Sequence, residues 1–359
     1  MEIKIGKIKI GDNHPCLIIP EACDNHRGSL DRAKALAYSA KEAGAKIVKF
    51  QLHLPDEEMD RDGMRKTSST MFSKWGDLYG FIKSNLLSVK NHAKLIEFCK
   101  EIDIQYFCTP FSSKAAGILK EIGGDSAFKI GSGETEDLPM IEEVANYGKP
   151  MMVSTGMSSY DEIDLTVQTI KSIGIPLALV HCISAYPPKS ISDLHLGVIR
   201  VLREKYGVPV GFSDHTPPEG IVKNKTNISE KEIMWGALGQ GACFVEKHFT
   251  LDRNAPDADS RFSHDKKTLA RLISDVEEIR RAMDSKRKVF DCEKDVWIWA
   301  KRSLFAKKKI LAGTLLTRDL IVSKRPGIGI RSKDYKKFLG KTFKRDFKKG
   351  EMVLPNDLV

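Results

Sequence analysis

The 359-residue sequence predicts a (β/α)8 barrel, the TIM-barrel form of the α/β class, followed by a small C-terminal domain. Eight short apolar runs alternate with stretches of helical period, polar side chains gather at the C-terminal ends of those runs, and the alternation stops after residue 284. The first run, "PCLIIPEA" (15–22), ends on Glu21. "KIVKFQL" (46–52) carries Lys49 and Gln51 on one face, because strand side chains alternate with a period of two. "IQYFCTP" (104–110) brings Thr109, "AFKIGS" (127–132) brings Lys129 and Ser132, and "PMMVSTG" (150–156) brings Ser154. "LALVHCI" (177–183) contains His181, "VPVGFSD" (208–214) leads through Ser213 to His215, and "ACFVEKHF" (242–249) sets Glu246 and His248 on a shared face. Segments such as "SLDRAKALAYSAKEAGA" and "SVKNHAKLIEFCKEID" between these runs repeat apolar residues at helical spacing. In a barrel the strand C-termini open on one face, where active sites are built, so a ring of such residues reads as a site.

Composition narrows the class. With 41% hydrophobic and 30% charged residues and no run of eighteen apolar ones, a soluble chain with no membrane span is expected. The start "MEIKIGKIKIGDNHP" alternates charge with isoleucine and builds no signal-peptide core, which places the expectation in the cytoplasm. Seven cysteines without a C-x-x-C pair argue against a disulfide framework and against a zinc knuckle. In a reducing compartment the N-x-S/T patterns at Asn224 and Asn227 carry no expectation of glycosylation. The net charge of +10 lies largely after residue 284, in "DSKRKVF", "AKKKI", "KDYKKF" and "KRDFKK", without a nucleic-acid motif. A solvated basic face, or attraction of small anionic substrates, accounts for it better than binding to nucleic acid.

The ring has a chemistry. Lys49 and Lys129 with hydroxyls at Thr109, Ser132, Ser154 and Ser213 suit a phosphorylated or carboxylated anion, since ammonium groups and short donors neutralise and orient it. "KIGSGE" (129–134) adds glycine-exposed backbone amides that can form an anion nest. His215 and His248, from neighbouring strand ends, can hold one divalent metal with carboxylates or waters completing the shell; the alternative is two independent hydrogen-bonding histidines.

The blocks "KFQ", "CTPFS", "FKIGSGETEDLPMIEEVANYGKPMMVSTGMSS", "LVHCISAYP", "GFSDHT" and "VEKHFTLD" closely resemble the sialic acid synthase family, which makes N-acetylneuraminate, legionaminate and pseudaminate, and they run in order through nearly the whole chain. "RSLFAKKKILAGTLLTRDLIVSKRPGIGI" with "GKTFKRDFKKGEMV" resembles the antifreeze-like (SAF) domain that ends these synthases. The expected organisation is therefore a synthase barrel over 1–284, a linker over 285–300 and a SAF domain over 301–359.

The resemblance implies condensation of phosphoenolpyruvate with an open-chain N-acylated aldose, C–O cleavage and phosphate release. A divalent metal is implied too, manganese first and magnesium or cobalt as alternatives. It assigns Lys49, Thr109, Lys129, Ser132, Ser154 and Ser213 to phosphoenolpyruvate, His215 and His248 to the metal, and Gln51, Tyr186, Asp259 and Arg325 to the sugar. Glu134, beside the anion nest, is the candidate base for the attacking water, with Glu21 as a second base or a sugar contact; either carboxylate could instead cap a helix or pair with a lysine. Arg325, in "KRPG", would reach over the partner's barrel in a domain-swapped homodimer.

Departures fall on the sugar side. The segment "HLPDEEMDRDGMRKTSSTMFSKWGDLYGFIKSN" (53–85) is longer than its counterpart, Ser184 stands where asparagine is common, "PDADSRFS" (256–263) differs from the family pattern, and "PPEGIVKNKTNISEKEIMW" (217–235) is an insertion. A modified sugar such as a diacetamido-trideoxyhexose fits these changes. Two rivals come from other classes: a metal-dependent aldolase using pyruvate, which would release no phosphate, and a non-catalytic carbohydrate- or ice-binding protein, which would have let the ring decay.

Overall fold

The computed structural model describes residues 1–67, 76–223, 226–257 and 259–359. Part of the long 53–85 segment, the Asn224 pattern and Ala258 of "PDADSRFS" lie outside the described residues. The chain divides into two compact units, Met1–Asp284 and Ser285–Val359.

The first unit opens with a hairpin, β1 (Glu2–Ile5) and β2 (Ile8–Gly11), paired antiparallel. Eight parallel strands follow: β3 (Leu17–Glu21), β4 (Ile47–Leu52), β5 (Gln105–Pro110), β6 (Phe128–Ile130), β7 (Met151–Ser154), β8 (Leu177–Cys182), β9 (Val210–Asp214) and β12 (Phe244–His248). Their order is β5-β4-β3-β12-β9-β8-β7-β6, and β5 packs beside β6, bringing the two ends of the sheet together as a barrel. A second hairpin, β10 (Ile221–Lys223) with β11 (Thr226–Ile228), occupies the inserted segment after β9.

Helices fill the crossovers: α1 (Leu30–Glu42), α5 (Val89–Glu101), α6 (Ser113–Glu121), α7 (Leu138–Ala145), α8 (Tyr160–Ile173), α9 (Gly197–Tyr206), α10 (Glu230–Gly239) and α11 (Lys266–Ala282). The short α2 (Pro55–Glu58), α3 (Arg61–Thr67) and α4 (Leu78–Asn85) lie in the 53–85 segment. Sequence marks many of the starts. Ser159, Ser229 and Asp265 close capping boxes with Glu162, Glu232 and Thr268, satisfying amides that the first helical turn leaves unpaired.

Alternation along the strands sorts the side chains. Outward residues such as Ile18, Val48, Phe50, Leu179, Phe212 and Val245 pack against the helices in one large core. Inward residues form layers. At the N-terminal end Leu17, Ile19, Ile47, Phe107, Met152, Val180 and Phe244 meet Ile3, Ile5 and Ile10 of the hairpin, which plugs the barrel floor. Burying each of these isoleucines contributes roughly 1.5–3 kcal/mol. Above this layer the inward positions turn polar, so the floor is sealed and dry where the opposite face is chemically equipped.

The second unit has its own core of Leu304, Ile310, Leu316, Phe343, Phe347 and Val353 around the pair β13 (Ser303–Ala306) and β14 (Ile321–Lys324). Residues 285–300, read from the sequence as linker, include α12 (Lys294–Ala300) and belong to this unit.

Candidate active site

Parallel register brings the polar layer together. Glu21 lies opposite Lys49 and His248, Gln51 opposite Thr109, and Glu246 opposite Ser213. The resulting cavity of about 550 Å³ is lined by every barrel residue assigned from sequence: Glu21, Lys49, Gln51, Thr109, Lys129, Ser132, Glu134, Ser154, Tyr186, Ser213, His215, His248 and Asp259. Arg325 belongs to the second unit, where its guanidinium stands over the Trp299 ring at 5.7 Å.

At the bottom of the cavity Lys49, fully buried, donates to Thr109 Oγ1 (3.2 Å), pairs with Glu21 and stands 3.6 Å from Glu246 Oε1. Burial brings the Lys49 ammonium down to about 8. Lys129 lies 4.0 Å from Glu246 Oε2, and Ser213 Oγ donates to Glu246 Oε1 at 3.2 Å. Burial pushes the Glu246 carboxyl upward, but the Lys129 and Lys49 ammoniums outweigh it and hold the group at about 2. Glu246, one of the polar ring residues read from sequence but given no role there, is thus the anion that holds both lysines in place.

Ser132 and Ser154 share a hydrogen bond of 2.9 Å. A Cβ on Gly156 would stand 2.6 Å from Ser132 Oγ and 2.7 Å from Ser184 Oγ, and one on Gly131 would stand 2.4 Å from Glu134 Oε2 and displace that carboxylate. Glu134 Oε2 is buried without a hydrogen-bond partner, and burial raises its carboxyl to about 7. A carboxyl poised there can exchange a proton near neutrality.

The two histidines lie on the other side. His215 Nδ1 meets the Ile183 carbonyl at 2.9 Å; a carbonyl only accepts, so the proton is on Nδ1 and Nε2 keeps its lone pair. Burial brings His215 down to about 4, leaving a neutral ring. Its centroid is 5.2 Å from that of His248, whose Nδ1 lies 3.2 Å from Asp259 Oδ2. Tyr186 covers His215 at a ring distance of 4.3 Å. Imidazoles from adjacent strand ends, with a carboxylate beside them, fit a divalent cation.

One member of the ring does not belong to it. His181 points outward, stacks on Phe212 and bonds the Leu194 carbonyl at 2.8 Å, because β8 turns Ala178, Val180 and Cys182 inward and the intervening residues toward the helices. Other lining residues carried no signal in the sequence. His53 bridges Gln51 Oε1 (3.0 Å) and Glu58 Oε2 (2.9 Å) and stacks on Phe111 at 4.2 Å, while Leu78, Phe81 and Ile82 of α4 supply an apolar wall. These contacts depend on how the 53–85 segment folds back, which no periodicity announces.

Residues 36–288 match the model of the NeuB family, and residues 301–359 match that of the SAF domain. The chain belongs to the NeuB family. It is 30% identical to the N,N'-diacetyllegionaminic acid synthase of Legionella pneumophila, over 98% of this chain and 97% of that protein. It is 33% identical to the uncharacterized protein MJ1065 of Methanocaldococcus jannaschii, over 100% of this chain and 99% of the other. Among solved structures, the N-acetylneuraminic acid synthetase of Leptospira borgpetersenii in complex with citrate superposes with a TM-score of 0.71 at 32% identity, covering 82% of this chain and 95% of that one. Among the described residues no helix is long and apolar enough to cross a membrane.

Proposed function

We propose that this NeuB family member is a nonulosonic acid synthase that condenses phosphoenolpyruvate with an open-chain N-acylated hexosamine and releases phosphate by C–O cleavage. The observation that supports it most is the pairing of two buried lysines, locked by one carboxylate, with two adjacent histidines across a single cavity. Lys49 and Lys129 neutralise the phosphate and carboxylate of phosphoenolpyruvate, and Thr109, Ser132, Ser154 and Ser213 fix its oxygens. His215 and His248 hold the divalent cation, for which manganese is the first ion to test and magnesium and cobalt the next. Bound there, the cation supplies Lewis acidity to the aldehyde oxygen of the sugar.

Carbon C3 of the enol forms the new bond to the sugar carbonyl carbon, whose C=O π pair moves onto the sugar oxygen and takes up a proton as the new hydroxyl, and water captures the cationic C2. Glu134 takes the proton of that water, and the tetrahedral C2 then expels phosphate with the C–O electron pair. Gln51, Tyr186 and Asp259 line the sugar side, where the α4 wall of Leu78, Phe81 and Ile82 suits the methyl and acetamido groups of a trideoxy sugar. Arg325 of a partner subunit completes the site in a domain-swapped homodimer, a part of the reading supported by the "KRPG" resemblance and tested by light scattering.

The experiment is phosphate release from phosphoenolpyruvate with N-acetylmannosamine, 2,4-diacetamido-trideoxyhexoses and arabinose 5-phosphate, after chelation and with manganese restored. Metal-dependent release with an N-acylated hexosamine supports the proposal. A carbon–carbon product formed from pyruvate without phosphate, or no turnover with any of these sugars, overturns it.

A further inference from the structure

Cys23 stands in the turn directly after β3, with φ of 45°, in the left-handed region that favours glycine. A residue with a Cβ pays about 1–2 kcal/mol there, and such strain persists where the surroundings fix it, often at a working site. The turn is fixed: the Cys23 amide donates to Glu21 Oε1 (2.7 Å), and Asn25 Nδ2 two residues on donates to the Phe249 carbonyl (2.9 Å), just past His248. The thiol is 7% exposed as a residue and lines the cavity.

What it faces is specific. The Cys23 sulfur, a ring nitrogen of His248 and a carboxylate oxygen of Asp259 all lie within 4.8 Å of one another, the one His/Cys/Asp/Glu group of this kind among the described residues. His248 Nδ1 is buried and faces Asp259 Oδ2 at 3.2 Å. A thiol, an imidazole nitrogen and a carboxylate converging this closely in a buried wall form a set that a cation can bridge.

We propose that Cys23 is a further ligand of the divalent cation held by His215 and His248, beside Asp259 at the edge of the sugar side, an inference that rests on the reading of His248 as a metal ligand. Ligation releases the thiol proton to solvent and adds a thiolate to the two imidazoles, with room left for a substrate oxygen. Thiolate is a soft ligand, so the site prefers cobalt and zinc over manganese and magnesium more strongly than imidazole and carboxylate alone would.

The test uses the full-length protein stripped with chelator and titrated with cobalt(II), read by absorption. Wild type is expected to show the sulfur-to-cobalt charge-transfer band in the near ultraviolet together with visible d–d bands. Cys23→Gly, which suits the backbone conformation, and Cys23→Ser keep the d–d bands and lose the charge-transfer band, whereas Cys182→Ser, a second cavity thiol, keeps both. In competition with a chromophoric chelator, Cys23→Gly weakens zinc at least about tenfold and leaves manganese within about twofold. Wild-type d–d bands without charge transfer, or a band that survives in Cys23→Gly, overturn Cys23 as a ligand and leave the metal site standing. Absence of any cobalt signal from wild type overturns the metal reading itself, and Cys23 with it.

Discussion

The two faces of β12 each bury charge, and they do it differently. Inward, Glu246 sits between Lys49 and Lys129, Glu21 pairs with Lys49, and Glu134 Oε2 has no hydrogen-bond partner. Outward, Lys247 is fully buried and directs its ammonium to Asp214 Oδ2 (2.9 Å), Glu230 Oε1 (2.9 Å) and the Thr216 carbonyl (2.7 Å), while His264 approaches Glu230 at 2.7 Å. The Lys247 ammonium is fully partnered within the protein, and the cavity cluster leaves capacity for a ligand. Sequence position separates the two by one residue; only the alternation of the strand assigns them to different tasks.

The sharpest break of this contrast is Glu134→Gln. Removing a positioned base costs about 10²- to 10⁴-fold in kcat, with folding retained. With the wild-type carboxyl raised to about 7 by burial, the base form accumulates as pH rises, so kcat climbs toward a plateau above that value and the variant loses this limb. The same shift has a stability signature. The folded carboxyl binds its proton more tightly than the unfolded group at 4.5, so wild type loses stability relative to Glu134→Gln as pH rises from about 4.5 to about 7. Unfolding midpoints of the two proteins at those pH values check the sign, and a difference that does not change between them would refute it.

On the other face, Lys247→Met leaves Asp214 and Glu230 buried without their cation. A loss of about 3–5 kcal/mol in unfolding free energy is expected. Urea unfolding measures it, and a midpoint near wild type would show that the outer cluster does not hold the wall. Below it on this scale lies the barrel floor, where Ile5→Val removes one methyl group from the hairpin plug and costs about 0.5–1.5 kcal/mol without changing the phosphoenolpyruvate KM.

The barrel was legible in the sequence because strand and helix periodicities are local, and eight β-branched-rich runs recur with little ambiguity. The polar ring was legible for the same reason: once the strands are placed, parity sends Lys49, Lys129, Ser213, Glu246 and His248 inward. His181 shows the limit of that reading, since its position at a strand end resembles the others but its parity is opposite. Contacts set by loop conformation were not legible. The bridge of His53 to Glu58, the α4 wall and the approach of Cys23 to Asp259 depend on loop conformations, and a cysteine in a left-handed turn gives no warning in sequence.

A matched pair of hydroxyl removals sharpens the contrast most cleanly, because it leaves both clusters charged. Thr216 Oγ1 donates to Asp214 Oδ2 at 2.7 Å on the outer face, and Ser132 Oγ bonds Ser154 Oγ on the inner one. Thr216→Val removes a buried hydrogen bond to an ionised group and costs about 1.5–3 kcal/mol of stability, with no change in phosphoenolpyruvate affinity. Ser132→Ala removes a neutral hydroxyl whose remaining hydrogen-bonding capacity faces the cavity. It leaves the unfolding midpoint nearly unchanged and weakens phosphoenolpyruvate binding by up to about tenfold, the range of one neutral hydrogen bond. Calorimetric titration and thermal unfolding on the same two variants read both quantities. If Ser132→Ala loses stability and keeps affinity, the hydroxyl pair is part of the wall, and the division between a self-satisfied outer face and a ligand-completed inner face fails at that position.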